Sequence, residues 1–197
     1  DVLGRPVRKA ALVGNEIPRH VVRWHGAKKL EKFLEKLYHV VKEEDPEALC
    51  SYANYPSTEY LRLKFLDFLC FNVYLHDETA FRAYVKRLQN VAEEMPLVLS
   101  EFGMDSMRHG EEEVADLLRW QLPAAFELGV SGAVVFAWTD EWYTGGHLIE
   151  DWAFGMVDAA RRPKLAHAVL SEVFTGPVPR LPPDPPLISV VVCAYNA

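Results

Sequence analysis

The amino-acid sequence predicts an α/β fold of the parallel (β/α)8 TIM-barrel type. Apolar runs typical of strands alternate with helical patterns five times along the chain, which indicates a parallel sheet. The runs are continuously apolar, as expected for strands buried on both faces. Most of them end in polar or aromatic residues, as the strands of barrel enzymes do on the face that carries the active site. A doubly wound nucleotide-binding sheet is the alternative, but the sequence has neither a GxGxxG nor a GxxxxGK motif.

The first half of the chain is predicted to contain three strands. Residues 10–16 form an apolar run that stops at a polar pair before Pro18, and 19–25 are predicted to form a loop. Apolar residues at i, i+3 and i+4 spacing then predict an amphipathic helix over 30–41, which Asp45-Pro46 ends. The other elements of this half are a strand at 48–55, a short helix at 56–64 and a strand at 65–74.

The second half alternates in the same way. A helix is predicted to begin at Asp77, and the apolar run 96–103 predicts the fourth strand. Residues 110–128 are predicted to be helical, with Pro123 as a kink or break. A fifth strand at 132–138 and a helix at 163–174 complete the series.

Composition limits the class of protein and of partner. Half of the 197 residues are hydrophobic, which is enough for a substantial core. The formal net charge of −7 argues against nucleic acid or anionic lipid as a partner. No apolar run is long enough to span a membrane and the N-terminus lacks a signal-peptide pattern, so we expect a soluble, cytoplasmic protein.

The three cysteines predict neither disulfides nor a metal site. Cys50, Cys70 and Cys193 lie in apolar segments and lack the CxxC spacing of a zinc site. We expect buried free thiols in a reducing compartment. The His, Asp and Glu residues have no spacing that makes a metal site convincing, and we expect no cofactor.

Two glutamates stand at the ends of predicted strands. Glu16 ends the first apolar run, and Glu101 ends the fourth, before Gly103. The C-terminal ends of parallel strands meet at one edge of a sheet, so the two carboxyl groups are expected to face each other across one pocket. The alternative for either glutamate alone is a solvated loop residue.

These motifs resemble the second half of a retaining glycoside hydrolase barrel. Gly14-Asn15-Glu16, Ser100-Glu101-Phe102-Gly103 and Phe136-Ala137-Trp138 are similar to the strand ends of the large clan whose catalytic glutamates lie on strands four and seven. Within that clan, 151–158 followed by Arg162-Pro163-Lys164 is most similar to glycoside hydrolase family 2, the β-galactosidase, β-glucuronidase and β-mannosidase group. The resemblance covers 7–174 and implies that only strands four to eight are present, as a partial barrel.

The resemblance implies a role for each candidate site residue. Glu16 would be the general acid/base and Glu101 the nucleophile of a double displacement, with their carboxyl groups about 5 to 5.5 Å apart. Asn15 would bind the sugar 2-hydroxyl, Tyr74 would orient the nucleophile, and Trp138 would form the floor of the sugar subsite. The further candidates for substrate binding are Asn72 at a strand end, Trp142 in an aromatic-rich region, and His20, for which a surface position is the alternative.

The sequence predicts three regions. Residues 1–175 form the partial barrel, 176–186 form a proline-rich linker, and 187–197 resemble the first strand of a glycosyltransferase family 2 domain, with an ordinary strand as the alternative. We therefore expect this to be a fragment whose parent carries a fused glycosyltransferase domain. A half barrel has two open sheet edges, so we expect self-association or pairing with the missing barrel strands.

The predicted function is that of a retaining β-glycosidase acting on a carbohydrate substrate. Two alternatives remain at this point. One is a non-catalytic carbohydrate-binding or scaffold module that has lost turnover with the missing strands. The other is a transglycosylase, in which a sugar instead of water resolves the covalent intermediate.

Overall fold

The computed structural model describes residues 9–176, which contain a five-stranded parallel sheet. The strands follow one another in chain order across the sheet, β1-β2-β3-β4-β5, and all four pairings are parallel. This arrangement confirms the predicted α/β fold of partial barrel type. The strands are β1 Ala10–Asn15, β2 Leu49–Asn54, β3 Leu69–Asn72, β4 Leu97–Phe102 and β5 Gly132–Val135.

Helices connect the strands, and a short antiparallel hairpin follows β5. The helices are α1 Arg19–His25, α2 Ala27–Glu44, α3 Glu78–Ala92, α4 Ser106–His109, α5 Glu111–Glu127 and α6 Leu165–Thr175, with one 3₁₀ turn at Pro56–Thr58. The hairpin pairs β6 Tyr143–Thr144 with β7 His147–Leu148. As predicted, Asp77 caps the start of α3: its Oδ1 accepts a hydrogen bond from the Ala80 N–H at 2.8 Å. Pro123 lies inside α5, also as predicted.

Three local predictions are wrong. The predicted loop at 19–25 is helix α1, which Pro18 precedes and which buries Val22. The predicted helix at 56–64 is a single 3₁₀ turn. The predicted strand at 65–74 begins only at Leu69, because the Asp67 carboxylate accepts a hydrogen bond from the Cys50 N–H at 2.7 Å and thereby holds the preceding residues in a turn.

The helices bury one face of the sheet in two apolar clusters. The larger cluster joins β3 and β4 to α3, α5 and α6, and Phe71, Phe81 and Leu99 are fully buried in it. The smaller cluster packs α1 and α2 against Tyr52 of β2. Alternate residues point to the opposite face. That face is lined by small and polar side chains, among them Ser51, Cys70, Asn72 and Ser100.

Among the described residues, β1 and β5 each pair with a single strand, so the sheet does not close. Leu12 of β1 is 50% exposed and Val134 of β5 is 57% exposed, which leaves apolar surface at both edges. Cys50 and Cys70 are buried free thiols, as predicted. Within residues 9–176 no helix is long and apolar enough to cross a membrane, and that region has no group of three or more His, Cys, Asp or Glu side chains suited to a metal ion.

Some predictions fall outside the described residues. These are the linker from residue 177 onward, the transferase-like strand at 187–197 and the thiol of Cys193.

Candidate active site

The polar side chains of the candidate site lie at the C-terminal ends of three strands. Glu16 follows β1, Asn72 ends β3 and Glu101 lies near the end of β4. The register between neighbouring strands shifts just at these ends, and such bulges re-aim side chains away from the regular alternation. The shifts lie between Leu12 and Asn15, between Phe71 and Asn72, and between Leu99 and Phe102.

Glu16 has an unusual backbone conformation. Its φ of +45° is in the left-handed region, which residues with a side chain rarely adopt. Two hydrogen bonds hold this turn: the Glu16 N–H donates to the Ala53 carbonyl at 2.9 Å, and the Ile17 N–H donates to the Tyr52 hydroxyl at 2.8 Å. A strained residue that its surroundings fix in place is typical of a functional site.

Asn72 holds the residues on either side of it. Its Nδ2 donates to Glu16 Oε1 at 2.9 Å and to Asn15 Oδ1 at 3.0 Å, and its Oδ1 accepts a hydrogen bond from Ser100 Oγ at 2.7 Å. The residue is 1% exposed, so both amide hydrogens are used inside the protein. The structure therefore corrects the predicted substrate contact: Asn72 lies behind Asn15 and Glu16 and positions them.

Tyr74 and Glu101 form the second pair of the site. The Tyr74 hydroxyl donates to Glu101 Oε2 at 2.9 Å, and the Val73 N–H donates to the Glu101 carbonyl at 2.8 Å. Burial raises the pKa of Tyr74 above its ordinary value, and the nearby Glu101 carboxylate raises it further. The hydroxyl therefore stays protonated and donates to the carboxylate across the working pH range.

The two glutamates influence each other electrostatically. Burial raises the pKa of Glu101 above its ordinary value, the Tyr74 hydrogen bond opposes this rise, and the charge of Glu16 adds to it. Among the described residues no hydrogen bond reaches Glu16 Oε2, so this oxygen is available to a bound ligand. The two glutamates thus have different surroundings: an amide donates to Glu16 and a phenol hydroxyl donates to Glu101.

Four aromatic rings lie beside this pair. Phe136 stacks on Trp152 with ring centroids 5.6 Å apart, and Trp142 and Phe154 pack edge-on to both. We call Phe136, Trp142, Trp152 and Phe154 the aromatic wall. Phe154 also packs edge-on against Tyr74, with ring centroids 6.0 Å apart. The aromatic wall is therefore in contact with the residue that donates to Glu101.

A buried ion pair anchors the loop that carries Trp152 and Phe154. Lys164 Nζ donates to both carboxylate oxygens of Asp140 at 3.1 Å, and it also reaches Ser106 Oγ at 2.7 Å and the Ala153 carbonyl at 3.3 Å. Asp140 Oδ1 accepts a further hydrogen bond from the Gly155 N–H at 2.7 Å. The Lys164 ammonium is therefore fully committed to the protein.

Comparison with known proteins finds similarity at the level of structure. No protein-family model matches the sequence, and no curated protein matches it. A β-glucuronidase 2 from Bacteroides uniformis has a TM-score of 0.63 at 20% identity over 76% of this chain and 22% of its own. A GH2 β-galacturonidase from Eisenbergiella tayi has a TM-score of 0.63 at 21% identity, over 77% of this chain and 31% of its own. A GH5_18 protein from Streptomyces cattleya has a TM-score of 0.61 at 18% identity, over 78% of this chain and 45% of its own. The chain spans less than half the length of each of these proteins.

The chain has the fold of part of a (β/α)8 barrel. Its sheet corresponds to part of a (β/α)8 barrel, and the chain order of its strands is the order in which they lie around such a barrel. The predicted barrel class is therefore confirmed, and the strand ends described above belong to the face on which barrel enzymes build their sites.

Two predicted site residues lie elsewhere in this barrel. The Trp138 ring is 61% exposed and packs edge-on at 6.0 Å against His167 of α6, because β5 ends at Val135 and the strand alternation does not continue to Trp138. It faces an open cavity of about 480 Å³ at the β5 edge, which Val134, Leu170 and Phe174 also line. His20 lies exposed on α1. The structure thus brings Asn15, Glu16, Asn72, Tyr74 and Glu101 together, with Trp142 in the adjoining wall.

Several residues of this barrel site were not predicted from the sequence. Ser100 gives a weak signal, as a hydroxyl inside an apolar strand. Phe136 takes the place beside the site that the prediction gave to Trp138. Trp152 was expected in the aromatic-rich region that contains Trp142, but only the fold shows that it and Phe154 contact Phe136.

Proposed function

We propose that this chain carries the catalytic pair of a retaining β-glycosidase. The observation that supports it best is that Glu16 and Glu101 end two strands on one face of the barrel and have different partners. Asn72 donates to Glu16, and Tyr74 donates to Glu101. Burial raises the pKa of Glu101 and the charge of Glu16 adds to this rise, so the two carboxyl groups are close enough to interact.

The mechanism assigns one role to each glutamate. Glu101 Oε attacks the anomeric carbon of a β-glycoside while the bond to the leaving oxygen breaks and Glu16 gives that oxygen its proton. Glu16, now ionised, takes a proton from water, and the water oxygen displaces Glu101 from the anomeric carbon. Tyr74 stabilises the departing Glu101 carboxylate through its hydrogen bond. Asn15, held by Asn72 at the rim, is placed to bind a sugar hydroxyl.

The comparisons support the proposal without extending it to a substrate. The structure of the Bacteroides uniformis β-glucuronidase 2 holds a covalently bound cyclophellitol-6-carboxylate aziridine, so that protein forms a covalent adduct with a sugar-like ring. Its similarity to this chain lies in the fold.

The proposal is tested by trapping the glycosyl-enzyme. The intact protein is incubated with a panel of 2-deoxy-2-fluoro β-glycosides and analysed by mass spectrometry and peptide mapping. We expect an adduct on the peptide 97–103 that Glu101→Gln abolishes. Glu94→Gln, which changes an exposed glutamate after α3, is the matched control and is expected to label as the wild type does. Absence of an adduct from folded protein, or an adduct outside 97–103, would contradict the proposal.

The acid/base role of Glu16 has its own test. Glu16→Gln is expected to slow hydrolysis of substrates with poor leaving groups much more than aryl glycosides with good ones, because only the poor leaving groups need the proton. Equal losses on the two substrate types would count against this assignment.

A non-catalytic carbohydrate-binding module is the second candidate. It is favoured by the open sheet, in which β1 and β5 have unpaired edges among the described residues and the pocket lacks a closing wall. Such a module would bind oligosaccharides by calorimetry without forming an adduct. Transglycosylation uses the same two glutamates, and product analysis with an added sugar acceptor separates it from hydrolysis.

A further inference from the structure

The aromatic wall lies immediately next to the nucleophile strand. Gly103 follows the end of β4, and a Cβ atom there would come within 2.6 Å of the Phe136 carbonyl and 3.9 Å of the Phe154 ring. The wall and the end of β4 are therefore in direct contact. Trp142, at 40% exposure, presents ring surface to solvent beside the site. A pyranose bound at Glu101 would meet this wall.

The wall presents aromatic faces, and the three cations described beside it are each paired with a carboxylate, Arg162 with Asp158. Lys164, which adjoins it, is buried and bonded to both carboxylate oxygens of Asp140 and to two other oxygen atoms, Ser106 Oγ and the Ala153 carbonyl. Arg161 pairs with Glu141 and with the Thr139 hydroxyl. All three cations are therefore engaged with groups of the same loop region. The exposed cation Arg19 follows Glu16 on α1, where its N–H donates to the Tyr55 hydroxyl after β2, whereas the wall follows β5 at the other edge of the sheet.

These surroundings favour one class of sugar. An aromatic face packs against the apolar C–H face of a neutral pyranose. A uronate brings a carboxylate, whose burial costs free energy unless a cation or several hydrogen-bond donors meet it. Asp140 and Glu141 already hold Lys164 and Arg161, so neither cation is free to meet that carboxylate.

Resting on the proposed function, we infer that the site takes neutral β-glycosides and rejects uronides. This sets the chain apart from two of the proteins it resembles in fold, a β-glucuronidase and a β-galacturonidase. The preference for a neutral sugar would follow from the aromatic wall and from the pairing of Lys164 with Asp140 behind it.

The test compares probes that differ only at the sixth carbon. The intact protein is treated with cyclophellitol aziridines that carry either a hydroxymethyl group or a 6-carboxylate, in the gluco and galacto configurations, and the labelling rate at Glu101 is measured. We expect the neutral probe of at least one configuration to label about 100-fold faster than its carboxylate counterpart. Equal or faster labelling by the carboxylate would overturn the inference and leave the proposed function standing. No labelling by any probe would overturn the proposed function and the inference with it.

Two variants locate the selectivity in the wall. Trp142→Ala is expected to slow labelling by the neutral probe about tenfold, because stacking surface is lost. Trp152→Lys places a cation in the wall and is expected to narrow the preference for the neutral probe. Trp24→Ala, which removes an 86% exposed tryptophan on α1, is the matched control and should leave all rates unchanged. If neither wall variant changes the ratio of rates, the wall does not select the sugar.

Discussion

Replacing Asn72 with alanine tests whether one buried amide holds the candidate site together. A neutral buried hydrogen bond contributes about 1 kcal/mol to stability and one to a charged group about 2 kcal/mol. Asn72 makes two bonds of the first kind, to Asn15 and Ser100, and one of the second kind, to Glu16. We therefore expect Asn72→Ala to lower the free energy of unfolding by about 3 to 4 kcal/mol.

The assay is urea denaturation with linear extrapolation, at fixed protein concentration because association would change the apparent stability. Two control variants set the scale. Ser100→Ala removes one of the neutral bonds and is expected to cost about 1 kcal/mol. Asn90→Ala changes an exposed asparagine on α3, which bonds only the Lys86 carbonyl, and should cost under about 0.5 kcal/mol.

The same variant has a catalytic readout. Without the amide, Glu16 is free to move from the leaving group, and a misplacement of about 1 Å costs about 100-fold in rate. We expect that loss for Asn72→Ala on substrates with poor leaving groups. A loss of stability no larger than that of Ser100→Ala would show that Asn72 does not join the three residues.

Four further predictions follow from the site and the sheet. Glu101→Gln should raise the melting temperature at pH 7 but not below pH of about 4. The raised pKa of Glu101 means that the folded protein favours the protonated carboxyl group. The stability that this group contributes is therefore lost as the pH rises through its folded-state pKa. An unchanged melting temperature at pH 7 would contradict this. Tyr74→Phe should slow glycosyl-enzyme formation about 10- to 100-fold, through loss of one hydrogen bond to a carboxylate, and a rate within twofold of wild type would argue against it. Lys164→Met should lower the free energy of unfolding in urea by about 3 to 5 kcal/mol, because Asp140 loses its buried partner, and Asp140→Asn in the same chain should recover part of it; a loss under about 1 kcal/mol would refute this. The 197-residue chain should elute as dimers or larger species in light-scattering chromatography, because β1 and β5 expose their edges, and a sharp monomeric peak would contradict it.

The sequence predicts the sheet well because its strands are buried and therefore apolar throughout. It fails where a few contacts decide the structure. Helix α1 has seven residues and buries only Val22, so it leaves almost no periodic signal. The β6–β7 hairpin was missed although Gly145 and Gly146 both have positive φ, as the central residues of a tight type I′ turn do, and that glycine pair was a readable signal.

For the candidate site, too, the sequence predicts the strand ends but not the individual contacts. Glu16, Tyr74 and Glu101 were proposed as site residues because each stands at the end of a predicted strand, and parallel strands bring their ends together. Trp138 was misplaced because its position depends on where β5 stops, which hydrophobicity alone does not determine. The role of Asn72 depends on which neighbours its amide reaches, and only the three-dimensional register shows that.

The register shift in β4 makes the position of Glu101 sensitive to changes in the length of this strand. Glu101 points into the site and Phe102, the next residue, is fully buried in the apolar core. Ser100 and Glu101 are successive residues on the site face, and Ser100 is the extra residue of the bulge. Loss of Ser100 would remove the bulge and draw Glu101 about 3.3 Å back along the strand, away from the Tyr74 hydroxyl that donates to it. The fold could accept that deletion, but the nucleophile would be misplaced.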